Sequence, residues 1–269
     1  PLRPRRSLGQ IFQAIVNKWR LRIVSHKYRV CEGGGRLMIR RAFELKAKKF
    51  LAMQSLFYAV ANSIEAMVPF LLAPILTRTL TPTDYGIWVL FITYATFLRP
   101  IVGLTTQDAI RMRFLDFDQK QLDQFTHTVL YVMAVMALLV STVTLLFADE
   151  IAAAAQFPAG WLVSVVAAAF LYEVFYTALA LQQFHGRRRA FLTTQVVQAV
   201  LSMTFISAFL LNGWDWRGVI LGRMLGLAIA TQISLRGLGY TPSLFFRMPP
   251  RSFYRNIAAF GVVYWPAGM

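Results

Sequence analysis

The sequence has little of what most soluble enzymes are built from. A single cysteine, Cys31, excludes a disulfide framework within the chain and any cysteine-rich metal centre. The three histidines, His26, His127 and His185, lie far apart without ligand spacing. Only 15% of residues are charged, against about 25% in an ordinary soluble domain. Acids are scarcer still, 12 against 28 Lys and Arg. There is no glycine-rich phosphate loop, no Ser–His–Asp grouping and no aspartate-rich loop motif, so neither an enzyme, a metal nor a cofactor is expected. In their place the chain has apolar bulk: 57% hydrophobic residues and a mean hydropathy of +0.52 over 269 positions.

The charge is unevenly spread. Residues 1–50 hold 14 Lys and Arg and two acids, Glu32 and Glu44, so that +12 of the total +16 sits in less than a fifth of the chain. A soluble chain this basic would suggest nucleic acid. Here the excess is confined to an arm without an RNA- or DNA-binding signature, and no nucleic-acid partner is expected. The pattern reads as a basic cytoplasmic arm, 1–46, ahead of a membrane body. In the arm Leu8, Ile11, Phe12, Ile15 and Trp19 recur at helical spacing, which suits an interfacial helix on anionic lipid. The alternative is a disordered extension, interrupted by Gly33-Gly34-Gly35. The arm is no secretory signal, because its apolar residues are scattered and no small-residue cleavage site follows.

A bilayer core of about 30 Å needs about 20 residues of helix. Phe125–Ala148 and Ala190–Trp214 carry no charge. Phe50–Thr77, Tyr85–Gln107, Gly160–Gly186 and Gly218–Leu235 each carry one inside an apolar run. The expected fold is therefore an all-α integral membrane bundle of six transmembrane helices over 47–235. A cytoplasmic linker, 236–256, and the start of a seventh span, 257–269, follow. The chain opens on Pro1 and stops in mid-pattern, and it is expected to be a fragment. Twenty-four of the 28 Lys and Arg fall in the arm and in alternate connections (Arg111, Arg113 and Lys120; Arg187, Arg188 and Arg189; Arg236, Arg247, Arg251 and Arg255). The other side has Arg78 and Arg217, with Asp149 and Glu150 in its longer loop. This asymmetry puts the amino terminus in the cytoplasm, and Trp88, Trp161, Trp214 and Trp216 then lie near the outer boundary, as an aromatic belt would.

Charge at bilayer depth costs several kcal/mol and asks for a reason. Glu65 and Glu173 fall near the midplane of the first and fourth spans. Arg99 and Arg223 lie within the second and sixth. The four face a common interior or one another. They either line a polar cavity for a charged or hydroxyl-rich cargo, or form two ion pairs that hold the bundle. Asn62, three before Glu65, and the stripe Gln195, Gln198 and Ser202 fit either reading, as do Tyr176 and Thr177 just after Glu173. Pro69 and Pro74 break the backbone ladder in the outer half of span one and suit a hinge or a packing kink. Gly218, Gly222, Gly226 and Ala230 at four-residue spacing form a ridge for close helix packing. Arg187-Arg188-Arg189 suits a topology anchor at anionic headgroups, or contact with a lipid diphosphate.

Leu76-Thr77-Arg78-Thr79-Leu80-Thr81-Pro82-Thr83-Asp84-Tyr85-Gly86 resembles the first outer loop of the bacterial O-antigen and exopolysaccharide flippases, a branch of the multidrug/oligosaccharidyl-lipid/polysaccharide exporter superfamily. Val102-Gly103-Leu104 with Ala109-Ile110-Arg111 resembles the end of that family's second span. Asn212-Gly213-Trp214 with Trp216-Arg217-Gly218 is similar to its fifth-to-sixth hairpin, and Ala259-Phe260-Gly261 with Trp265-Pro266 to the start of its seventh span. The likeness covers about residues 47–269. It implies one six-helix lobe of a two-lobe exporter in the bacterial inner membrane. The implied cargo is an undecaprenyl-diphosphate-linked oligosaccharide moved between leaflets, touched by Glu65, Arg99, Glu173 and Arg223 with Asn62 and Gln198 beside them. Membrane lipids, a polysaccharide polymerase and chain-length or export proteins are the implied partners. Two alternatives stay open: a cation-coupled drug or small-molecule antiporter of the same superfamily, and a non-transporting scaffold in a polysaccharide assembly complex.

Overall fold

The computed structural model describes residues 36–104 and 119–240. Most of the basic arm (1–35), the second-to-third connection with Arg111 and Arg113, the linker from 241 and the start of a seventh span lie outside the described residues. The chain divides into two compact units, Pro1–Leu56 and Phe57–Met269. In the first, the described part is helix. The second is an all-α bundle with no strand among the described residues.

Seven α-helices are described: α1 (Arg36–Thr79), α2 (Pro82–Gly103), α3 (Gln119–Leu146), α4 (Ala148–Ala155), α5 (Leu162–Phe184), α6 (Arg188–Leu211) and α7 (Trp216–Leu238), with a 3-10 turn at Ala159–Trp161 before α5. Six stretches are long and apolar enough to cross a membrane: Leu56–Thr79, Pro82–Gly103, Gln121–Leu146, Ala159–Phe184, Arg188–Leu211 and Trp216–Leu238. They match the six expected runs, with ends moved by local chemistry. α2 begins at Pro82, three residues before the expected start, because the motif around it is a helix cap. The Asp84 amide donates to Thr81 Oγ1 at 3.2 Å, and the Thr81 hydroxyl donates to Asp84 Oδ2 at 2.6 Å. Pro82 has the φ a first turn needs and no amide to leave unbonded. Span five stops at Leu211, short of Trp214, where Gly213 at φ +76 turns the chain and the Trp214 amide reaches back to the Phe209 carbonyl. The acidic outer loop expected after span three contains a helix, α4, rich in alanine and with no buried residue.

α5 is the most buried span and α3 the least. α5 packs against α2, α3, α6 and α7, while α6 and α7 form the tightest pair. One cluster joins Val68, Leu72 and Leu76 of α1 to Trp88, Phe91 and Ala95 of α2, Val165 of α5 and Ile206 of α6. Outward-facing side chains such as Phe70, Leu138, Leu146 and Leu211 are large and apolar, as a hydrocarbon solvent allows. Most span hydroxyls bond a carbonyl of their own helix one turn back: Ser63, Thr93, Thr142 and Thr204 do so at 2.8–3.0 Å. These groups are satisfied locally and need no partner helix.

The four tryptophans expected near the outer boundary divide. Trp214 is exposed, but Trp88 and Trp216 are buried in an aromatic knot with Phe91, Phe157 and Trp161. The Tyr94 hydroxyl donates to the Ala155 carbonyl at 2.8 Å and ties the end of α4 to this knot. At the opposite end the Tyr240 hydroxyl donates to Asp123 at 2.8 Å, fastening the chain beyond α7 to the start of α3. Burial and the adjacent carboxylate raise the Tyr240 pKa above that of a free tyrosine.

The glycine ridge sets the α6–α7 distance. A Cβ on Gly222 would lie 2.6 Å from the Ile206 nitrogen, and one on Gly226 would lie 2.6 Å from the Ser202 nitrogen. Gly218 meets Trp214 and Phe209 side chains instead. Because backbone cannot swing aside, Gly226→Ala is expected to cost about 1–3 kcal/mol of stability through overpacking. Gly237→Ala, where the added carbon meets nothing within 4 Å, should be neutral or slightly stabilising. Thermal unfolding of the two variants in one detergent checks the contrast.

Candidate functional site

Glu173 sits at the midpoint of α5, eleven residues from either end, about 17 Å along the helix by its 1.5 Å rise. It is buried and pairs with Arg99 of α2, whose Nε donates to Oε1 at 2.9 Å. Glu65 of α1 pairs with Arg223 of α7, Nη2 to Oε1 at 3.4 Å. The four charged residues marked in the sequence therefore come together as two ion pairs, each between a carboxylate and a guanidinium from different helices.

Two tyrosines join the pairs. The Tyr176 hydroxyl donates to Glu65 Oε1 at 2.8 Å, a shorter contact than the arginine makes to that oxygen. The face of the Tyr176 ring lies 4.5 Å from the Arg99 guanidinium carbon. One side chain thus touches the carboxylate of one pair and the cation of the other. Tyr172, one turn before it, accepts from Arg223 Nε at 3.0 Å and lies 5.7 Å from both guanidinium carbons. The rings stack with centroids 6.4 Å apart. Such cation–π contacts contribute about 0.5–2 kcal/mol each, more where the cation is desolvated. Tyr172 was not singled out in the sequence, although its four-residue spacing to Tyr176 on the Glu173 helix is visible there.

Backbone features fit the cluster. Gly103, one turn after Arg99, lies against the Glu173 carboxylate: a Cβ there would fall 2.7 Å from Glu173 Cδ and closer still to Oε2. The hollow is one that any larger residue would fill, and its i, i+4 relation to Arg99 is the sequence signal for it. Pro69 has no amide to offer the Glu65 carbonyl four residues back. α1 nevertheless continues through Pro69 and Pro74, both on its exposed side.

The remaining marked residues have different settings. Asn62 is exposed and accepts from Gln195 Nε2 at 3.1 Å, which links α1 to α6 one turn from Glu65. Gln198 is fully buried and bonds Ser202 on its own helix at 3.2 Å; no described hydrogen bond joins it to the four charges. Nearer the arginine-rich end, Gln182 Nε2 donates to Thr194 at 3.1 Å and to Ser234 at 2.9 Å, tying α5, α6 and α7 together. Arg223 Nη1 is buried and has no partner among the described residues. The arrangement thus contains one unanswered cationic donor within a charge-balanced cluster. No group of three His, Cys, Asp or Glu suited to a metal occurs among the described residues.

Removing one member of a buried pair leaves the other uncompensated, which typically costs about 3–5 kcal/mol, whereas apolar replacement of both is near neutral. Glu65→Leu alone is therefore expected to lower folded yield and unfolding temperature more than Glu65→Leu with Arg223→Met. Tyr176→Phe should weaken both pairs. Coupling measured between Tyr176→Phe and Arg99→Met, in a double-mutant cycle of thermal stability, should be non-zero; additive effects would mean that the ring contact contributes nothing.

Neither the curated proteins nor the solved structures contain a match to this chain. A family model described as polysaccharide biosynthesis protein matches residues 51–263, which take in all six spans and every residue of the charged cluster. With most of its length so matched, the chain belongs to the polysaccharide biosynthesis protein family.

Proposed function

We propose that the chain is the amino-terminal six-helix lobe of a transporter that flips undecaprenyl-diphosphate-linked oligosaccharide repeat units across the bacterial inner membrane, in O-antigen or exopolysaccharide synthesis. The observation that carries this reading is the gathering of Glu65, Arg99, Glu173 and Arg223 at the centre of a membrane-spanning bundle in a polysaccharide biosynthesis family. Charges are expensive at that depth and favour a polar cargo as their reason. The unanswered Nη1 of Arg223 is suited to an acceptor oxygen on a sugar or a phosphate. On α1, Tyr58, Asn62 and Glu65 follow at i, i+4 and i+7, a polar stripe from the arginine-rich end towards the cluster. Positive-inside asymmetry supports a cytoplasmic position for that end and for the amino terminus. Pro69, beside Glu65, is a natural place for α1 to bend during transport. A polymerase and chain-length or export proteins are the partners this role would require.

A second reading draws on the completeness of the ion pairs. Both carboxylates already have a guanidinium, as a structural lock in a non-transporting scaffold would. One comparison separates the two. A host lacking the gene should accumulate lipid-linked repeat units on the inner leaflet and lose surface polysaccharide. Restoring the gene with Glu65→Gln and Arg223→Gln together should give normal protein levels and at least a tenfold lower flipping rate. Full activity of that variant would favour the scaffold, and normal surface polysaccharide in the deletion strain would refute both.

A further inference from the structure

The end of the bundle where α5 turns into α6 and α7 finishes is rimmed by arginine. Arg187 immediately precedes α6, Arg188 and Arg189 open it, and Arg236 lies in the last turn of α7. Arg187 is not a loose surface charge: its Nη1 donates to the Gly237 carbonyl at 2.7 Å, pinning the α5–α6 turn to the end of α7. That bond sets Arg187 beside the end of α7, so that Arg187, Arg189 and Arg236 all lie at the same end of the bundle. Arg189 and Arg236 are exposed, and no described acidic side chain pairs with either. Asp123, the described acid at this end, accepts from Tyr240. Positive charge so concentrated repels itself unless an anion answers it.

The position of the rim says which anion. The apolar spans end at Phe184 and Leu238 and resume at Arg188, so the guanidiniums stand at the level where hydrocarbon gives way to headgroups. The planar guanidinium matches two phosphate oxygens at once and is weakly hydrated, which suits an interface. α6 also starts without a side-chain cap, which adds partial positive charge in the same direction. We propose that this rim is a discrete, saturable site for the phosphate of an anionic membrane lipid, held by Arg189 and Arg236 and steadied by Arg187. A lipid seated there would staple the ends of the fourth, fifth and sixth spans to the leaflet. The inference does not depend on what the bundle transports.

The test uses the purified full chain in a neutral detergent and follows thermal unfolding against added ligand. Short-chain phosphatidylglycerol should raise the midpoint to a plateau. Phosphatidylcholine with the same tails, and inorganic phosphate at the same concentration, should not. Arg189→Gln with Arg236→Gln should unfold at the same temperature without lipid and show at least tenfold weaker apparent affinity for phosphatidylglycerol. If the double variant does not accumulate, either single substitution makes the same comparison, with about threefold weakening expected. Arg217→Gln, at the other end of the bundle, should respond like the unaltered chain. The proposal fails if phosphatidylglycerol gives no plateau, if phosphatidylcholine or inorganic phosphate acts equally, or if Arg217→Gln weakens binding as much as the rim variants.

Discussion

A charge inside hydrocarbon has no water to turn to, and the centre of this bundle is arranged around that fact. Glu65 and Arg223 tie the first span to the sixth, and Arg99 and Glu173 tie the second to the fourth. Packing elsewhere makes these contacts possible. The glycine ridge of α7 lets it lie close against α6, on the helix that carries Arg223. The missing side chain at Gly103 leaves room for the Glu173 carboxylate, and a larger residue there would push it from Arg99. The tyrosines of α5 turn two separate attractions into a linked group, since Tyr176 touches a member of each. A perturbation of one pair is thereby felt at the other.

Hydropathy made the six spans legible because every backbone group in lipid must be satisfied within a helix, so span length leaves a plain trace in composition. The same physics made Glu65, Arg99, Glu173 and Arg223 conspicuous. Which carboxylate meets which arginine was not legible, because that depends on how the helices are ordered around α5, and spacing along one helix carries no information about its neighbours. Tyr172 escaped notice for a related reason: a tyrosine in an apolar run looks like ordinary bulk until a guanidinium is seen beside it. The burial of Trp88 and Trp216 was not legible either. Their position near a span end suited an aromatic belt; they do lie near the starts of their helices, but both are buried, Trp88 stacked on Phe91 and Trp216 edge-on against Phe157. α4 was hidden because two acids suggested an open loop, although its alanines favour helix.

The stretch that carries the clearest family likeness has a local structural reason. Thr81, Pro82 and Asp84 are a helix-starting device, with one hydroxyl both accepting an amide and donating to a carboxylate. Such a cap fixes where α2 begins and hence how far down the helix Arg99 falls. The signature therefore bears on the charged cluster through register, at a distance of fifteen residues or more, without touching it.

The ion pairs also impose an order on biogenesis. Glu65 and Arg223 are 158 positions apart, and Arg99 and Glu173 are 74 apart. At about 5–20 residues per second, roughly 8 to 30 s separate the synthesis of Glu65 from that of its final arginine. Until Glu173 is made, the opposite charges at hand for Glu65 within the nascent spans are Arg78, at the end of its own span, and Arg99, which ends up paired elsewhere. The ribosome thus delivers the acid of one pair and the base of the other first. The first two spans must either stay sheltered by the insertion machinery or exchange a provisional partner for the lasting one once the fourth and sixth have emerged.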